Sequence, residues 1–226
     1  MRYLRPFVLL SFAATLLVLT GAAPKNRIET AKKAPEGLSD PIAALLAKEG
    51  QAVVGSTGTL CEVWLLDSIK VKAGFSPTLA VKYPFQPGQL VGVLRVGKDG
   101  MFTDFRGQEL SAGTYTLRYG QQPQDGNHIG TSELSDFLLA IPAKIDQKTD
   151  PLDPSFSLTA KSAKSAGSNH PAIFSLLPSE KDQKAPELIH DESKEFWILN
   201  LSTSGKAKEE AVKVPLRMVV IGRSEA

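Results

Sequence analysis

Histidine is the residue type in this chain best suited to chemistry, and its three copies, His128, His170 and His190, all stand in polar, turn-like stretches. A neutral imidazole can act as a general base or bind a divalent metal ion through a ring nitrogen. Three imidazoles could hold Zn²⁺ and leave one position open for water. Carboxyl or amide side chains also stand beside each histidine: Asp125 and Asn127, then Asn169, then Asp191 and Glu192.

The wide spacing of the histidines leaves three interpretations open, because the ligands of a recognisable zinc motif lie close together in sequence. Each histidine can bond within its own loop or simply be exposed, all can share a polar ligand site, or all can bind one metal ion. A nucleophile elbow, a zinc-binding His-Glu-x-x-His pattern and a Walker loop are absent from the sequence. We therefore assign no catalytic residue, metal or cofactor. The candidate ligand-binding residues are Gln124, Asp125, Asn127, His128, His170 and His190.

Most of these candidates lie in one long polar connection between Tyr119 and Phe137. A connection of this length is seldom kept merely to reverse a hairpin. Aspartate and asparagine side chains also bond nearby backbone N–H groups, so the same residues can serve to fold their own loop.

The elements that must position this loop are two strands. Before it, side chains alternate, with Tyr115, Leu117 and Tyr119 on one face and Thr114, Thr116 and Arg118 on the other. This period of two predicts a strand with one buried face. After the loop, Phe137 to Ile141 is apolar throughout, which predicts a strand covered on both faces.

Many further short runs bounded by glycine and proline also show the apolar or alternating pattern of a strand. They predict strands at 51–54, 59–66, 69–71, 78–83, 90–96, 101–105, 172–177, 188–190, 196–202 and 212–221. Lys98-Asp99-Gly100 favours a hairpin turn, and Pro215 places the early part of the last strand at a sheet edge. Short helices are expected near 40–49 and after Asp153. The fold class predicted is mostly β, an antiparallel, jelly-roll-like β-sandwich with one or two short peripheral helices, as a single domain over residues 39–223.

The N-terminus predicts export. Two arginines, an apolar run from Phe7 to Leu19 and small residues after it follow the plan of a signal peptide, with cleavage after Ala22. An uncleaved membrane anchor is the alternative, although a run this short falls below the ~20 residues of a membrane span. The composition of residues 23–38 predicts a flexible tether. The mature protein is expected in the periplasm or outside the cell, touching the membrane only through the signal peptide before cleavage.

Charge argues against nucleic acid as a partner. The chain has 26 basic and 24 acidic residues, and losing Arg2 and Arg5 with the signal peptide leaves 24 against 24. A chain without net positive charge gives no electrostatic reason to expect nucleic acid binding. The ligand or envelope partner is not identified by the sequence.

Cys61 is the only cysteine, so the exported chain has no internal disulfide and its core must supply the stability. Its alternation with Val63 and Leu65 predicts a buried, inert thiol. Trp64, Phe196 and Trp197 lie in apolar runs and are interpreted as core residues rather than as a sugar-stacking platform.

Three central stretches of the chain are distinctive: Ala-Gly-Thr-Tyr-Thr-Leu-Arg-Tyr at 112–119, Gln-Pro-Gln-Asp-Gly-Asn-His at 122–128 and Asp-Phe-Leu-Leu at 136–139. Together they resemble an uncharacterised family of exported bacterial proteins. The resemblance implies export and a β-rich, sandwich-like fold, and it supplies no activity.

Two hypotheses follow for function. The first is a non-enzymatic, exported β-sandwich that acts as a binding or envelope-associated module. The competing hypothesis is a metal-dependent or hydrolytic enzyme, with His128 and His170 as ligands or bases and Asp125 as a carboxylate.

Overall fold

A computed structural model describes residues 26–98, 101–122, 132, 134–154, 156–208 and 210–224 of the protein. The strands over this part of the chain are β1 (Arg27–Ala31), β2 (Gly50–Gly55), β3 (Gly58–Leu65), β4 (Ser68–Lys70), β5 (Leu90–Val96), β6 (Gly113–Gln121), β7 (Asp136–Pro142), β8 (Ala172–Leu177), β9 (Glu187–Asp191), β10 (Phe196–Ala207) and β11 (Glu210–Ile221). The helices are α1 (Asp40–Ala43) and α2 (Phe156–Ala163), with a 3₁₀ turn at Ala143–Ile145.

The strands of the described residues form one sheet that is nearly closed into a barrel. Its order is β1-β2-β3-β5-β6-β7-β8-β11-β10, and all of these neighbours are antiparallel. Both β9 and β4 pair with β10, and β4 does so in parallel. The mostly β, antiparallel prediction with short helices is therefore confirmed.

Strand β8 joins the two halves of the sheet by changing partner along its length. Residues 172–175 pair with β7, and Leu176 and Leu177 pair with β11. The early part of β11 has β10 on one side and no described strand on the other, which confirms the edge position predicted for Pro215.

Two apolar clusters stabilise the sheet. The larger one includes Cys61 on β3, Leu94 on β5 and Leu117 on β6, which lie on the same face of the sheet and are fully buried. The smaller one lies on the opposite face of β7 and its neighbours, where Phe137, Leu139 and Ile141 pack with others. Helix α2 contributes Leu158 to this second cluster. Strand β7 is therefore covered on both faces, as its apolar sequence predicts.

The N-terminal tether is not wholly flexible, because its residues 27–31 form β1 and pair with β2 from Arg27–Val54 to Ala31–Gly50. Only Ile28 and Ala31 add apolar contacts there, so the sequence carried little signal for a strand. Residues 1–22, predicted as the signal peptide, lie outside the described part of the chain.

Two predicted strands are wrong. In 78–83 the backbone bonds to side chains, since the N–H of Val81 donates to Thr78 Oγ1 (3.0 Å) and the N–H of Lys82 to Asp136 Oδ2 (2.6 Å). In 101–105 the Asp104 carboxylate accepts two backbone N–H groups further along the chain and bends it into a turn. Strand β5 consequently pairs with β6 rather than with a hairpin partner at 101–105.

Strand β6 also differs from its prediction, because both of its faces are buried. Thr116 and Arg118, on the face expected to be polar and open, have no exposed surface. The segment 143–152 folds over them, and this covering has no signature in the alternation of β6 itself.

Candidate functional site

The sequence-predicted site divides between described and undescribed residues. Gln124, Asp125, Asn127 and His128 lie outside the described part of the chain. His170 is exposed in the turn before β8, where its backbone N–H donates to Ser168 Oγ (3.0 Å). His190 lies on the edge strand β9 with its ring stacked on Trp197, the ring centroids 4.4 Å apart.

No three His, Cys, Asp or Glu side chains among the described residues are grouped closely enough to bind a metal ion. Convergence of the three histidines stays a prediction, since His128 is one of them. Trp64 and Phe196 are buried, in agreement with their assignment to the core, while Trp197 is only partly buried beneath His190.

At the base of the predicted loop, a buried carboxyl group connects both flanking strands. The Tyr119 hydroxyl donates to Asp136 Oδ1, and the Lys82 N–H donates to Asp136 Oδ2 at 2.6 Å. Gln121 Nε2 donates to the Tyr119 hydroxyl at 3.0 Å. Burial raises the pKa of the Asp136 carboxyl, and burial together with the Asp136 carboxylate raises the pKa of Tyr119.

Two serines extend this cluster. Ser132 Oγ donates to the backbone oxygen of Asp136 at 3.0 Å and lies 2.7 Å from Ser175 Oγ on β8. The described ends of the loop are thus fastened to β6, β7 and β8 by buried hydrogen bonds. In this cluster the hydroxyl and carboxyl groups of Tyr119, Ser132 and Asp136 bond to neighbouring protein groups.

The other end of β6 forms an open cleft of about 650 Å³. That volume is typical of sites for small organic ligands. Four separate stretches of the chain supply its walls: Glu36 and Gly37; Ser111, Ala112, Gly113, Thr114 and Tyr115; Pro142, Ala143, Lys144 and Ile145; and Lys164 and Ser165.

Hydrogen bonds between elements fix two of these walls. Thr114 Oγ1 donates to the backbone oxygen of Glu36 at 2.7 Å, which holds the N-terminal segment against β6. Ser162 and Ser165 both donate from Oγ to the backbone oxygen of Ala140 at 2.8 Å, which holds the end of α2 against β7. The cleft is therefore formed before any ligand arrives, and a preformed site lowers the entropic cost of binding.

A buried ion pair fixes the third wall. Arg118 on β6 donates to both carboxylate oxygens of Asp146, with Nε–Oδ2 and Nη2–Oδ1 both 2.8 Å. Its Nη1 also donates to the backbone oxygens of Gly88 (3.1 Å) and Asp150 (2.8 Å). The 3₁₀ turn that carries Lys144 and Ile145 directly precedes Asp146, so this pair sets the position of that wall.

Charge at the cleft is predominantly positive. Lys144 and Lys164 are exposed, and neither makes an ion pair or hydrogen bond with another described residue. Glu36 is the one carboxylate among the lining residues, and its Oε1 already binds Lys33 Nζ at 2.8 Å. The hydrogen bond and charge of Lys33 lower the pKa of Glu36. The remaining lining is largely apolar or small, so the cleft combines an apolar surface with two available ammonium groups.

Sequence reasoning missed this cleft. Its walls come from stretches up to 129 positions apart, from Glu36 to Ser165, and none of them carries a motif. The two lysines are ordinary surface residues until the fold places them beside Ala143 and Tyr115.

Comparison with known proteins gives no relative: no family model, no curated protein and no solved structure matches the chain. Within the described ranges, no helix has the length and apolar character needed to cross a membrane.

Proposed function

We propose that this chain is an exported, non-enzymatic binding module that takes a small amphipathic anion in the cleft at the start of β6. The observation that carries the proposal is the pairing of a preformed, largely apolar cleft with two lysines that have no acidic partner among the described residues. The signal-peptide pattern and the resemblance to exported bacterial proteins support export.

The chemistry of the lining sets the chemistry of the ligand. A carboxylate, sulfate or phosphate would bind the ammonium groups of Lys144 and Lys164 through charge-assisted hydrogen bonds. An attached alkyl or aromatic group would cover Pro142, Ala143 and Ile145, and each buried CH₂ contributes ~0.8 kcal/mol. An anion without an apolar group, or an apolar molecule without a charge, would contact only part of the lining. The ligand class is therefore an anion with an apolar tail.

The use of buried charges elsewhere is consistent with a scaffold for binding. Arg118, Asp146 and Asp104 are buried, and each is held by several hydrogen bonds to protein groups. These buried groups stabilise the loops around the sheet. Among the described residues that line the cleft, the charges still free to bind a ligand are those of Lys144 and Lys164.

The proposal is tested with decanoate as the anion and decanol as its neutral counterpart. Calorimetric titration of the mature protein should show saturable decanoate binding at one site. The double variant Lys144→Gln/Lys164→Gln should bind decanoate about tenfold or more weakly, because a hydrogen bond to a charged group contributes ~1.5–3 kcal/mol. Its affinity for decanol should stay unchanged.

The matched control is Lys206→Gln/Lys213→Gln, which removes the same charge from exposed positions of β10 and β11. This control should bind decanoate like the wild type. Absence of decanoate binding by the wild type, or equal weakening in both double variants, would contradict the proposal.

A further inference from the structure

Three buried polar side-chain atoms under the loop before β9 have no hydrogen-bond partner among the described residues: Gln183 Oε1, Asn200 Oδ1 and Arg217 Nε. Asn200 is only 1% exposed. Burying such an atom without a partner costs ~1–3 kcal/mol, so three together require a physical explanation.

The three atoms belong to one small region of the sheet surface. Asn200 on β10 pairs directly with Arg217 on β11, so their side chains project from the same face of the sheet. Gln183 Nε2 donates to the backbone oxygens of Leu201 (3.3 Å) and Leu216 (3.2 Å), which are the next cross-strand pair. The Gln183 amide therefore lies beside the Asn200–Arg217 pair.

The loop is also attached to the sheet through Arg217. Arg217 Nη1 donates to the backbone oxygen of Pro178 at 3.2 Å and forms an ion pair with Glu180. We call residues 178–186 the strap, because they pass over β10 and β11. The strap is held by the Arg217 side chain and by the bonds of its own Gln183 to the backbone of both strands.

The chemistry of the three atoms specifies what would satisfy them. Two are amide oxygens that need a donor, and one is a guanidinium N–H that needs an acceptor. A cation would be repelled by Arg217, and an anion by the two amide oxygens. A water molecule donates twice and accepts once from this set, which is the usual number of bonds for a buried water.

We propose that Gln183, Asn200 and Arg217 form an internal water site that fastens the strap to the β10–β11 hairpin. The water completes the hydrogen bonds of all three side chains and closes the strap. The site is separate from the cleft at β6, and neither depends on the other.

The test combines crystallography with hydrogen exchange. A high-resolution crystal structure of the wild-type protein should show one ordered water within hydrogen-bond distance of all three atoms. In Asn200→Leu the water should be absent, and backbone amides of the strap should exchange about tenfold faster. Ser202→Ala, at the next position of β10 on the same face, should leave exchange in the strap unchanged.

A second variant keeps the test decisive if Asn200→Leu does not fold. Gln183→Met changes a strap residue outside both apolar clusters and should accelerate exchange in the strap by a similar factor. The proposal is overturned if the wild-type structure shows protein donors on both amide oxygens with no water between them. Strap exchange within twofold of the wild type in the folded variants would overturn it as well.

Discussion

The guanidinium of Arg118 and the carboxylate of Asp146 form a bidentate ion pair that is almost fully buried, with side-chain exposures of 0% and 1%. Thr116 Oγ1 donates to the same carboxylate, and Arg118 Nη2 also donates to the backbone oxygen of Lys148. A buried arginine is rare unless its donors are used, and here they tie the segment 146–150 to β6. This pair therefore joins the sheet to the wall of the cleft.

We predict that Arg118→Met lowers the free energy of unfolding by about 3–5 kcal/mol, because it leaves the Asp146 carboxylate buried without a cation. Urea denaturation measures the loss. Arg27→Met removes a similar pair with Glu29, whose side chains are 60% and 54% exposed, and should cost less than about 1 kcal/mol. Equal losses in the two variants would show that the Arg118 pair is not held in a low-dielectric site.

The sequence predicted the scaffold better than the site, and Arg118 shows why. The apolar run Phe137–Ile141 identifies its own environment, since a strand covered on both faces must be apolar on both. Arg118 stands at an alternating position that is normally polar and exposed, and it is buried only because a segment that starts 25 residues later covers it. Local periodicity contains no information on that covering.

The same limit applies to the candidate site. The polar loop around His128 was conspicuous because its hydrogen-bonding residues are adjacent in sequence. The cleft brings Lys144 and Lys164 together from different elements, and no spacing rule connects them. Strand β1 was missed for a related reason, because its stability comes from pairing with β2 and not from its own composition.

Asp136 provides a prediction for pH dependence. Burial raises the pKa of its carboxyl in the folded protein, so the folded state holds this proton more tightly than the unfolded chain does. The group contributes stability that is complete below about pH 4, the ordinary range of an unfolded aspartate, and that is lost as pH rises through the folded pKa. Asp136→Asn should remove this part of the pH dependence, although it also lowers stability by weakening the bond to Tyr119.

The measurement is the urea midpoint of wild type and Asp136→Asn across the acidic range. The difference between the two proteins should shrink as pH rises. Asp191→Asn is the contrasting control, because a hydrogen bond from Ser193 lowers the pKa of that exposed carboxyl and its contribution has the opposite sign. A difference between wild type and Asp136→Asn that grows with pH would contradict the raised pKa.

Cys61 is predicted to be inert until the protein unfolds. Burial raises the pKa of its thiol to about 12, so almost no thiolate is present at pH 8, and the side chain has no exposed surface. Iodoacetamide should leave the folded protein unmodified and should add one label in concentrated urea, as read by mass spectrometry. Rapid labelling of the folded protein would show that β3 opens locally, since only exposure of the thiol allows reaction.

Gly113 allows the cleft to be filled without disturbing the core. A Cβ added there would meet only the ring of Tyr115, at 3.9 Å, so the backbone and its surroundings accept a side chain. Gly113→Phe should project its ring into the cleft and weaken decanoate binding about tenfold or more, with little change in the urea midpoint. Gly113→Ala is the matched control, and it should bind almost normally because one methyl group fills little of about 650 Å³. Unchanged binding by a folded Gly113→Phe variant would place the ligand on another surface, since a ring and an alkyl chain cannot occupy the same volume in a close-packed site.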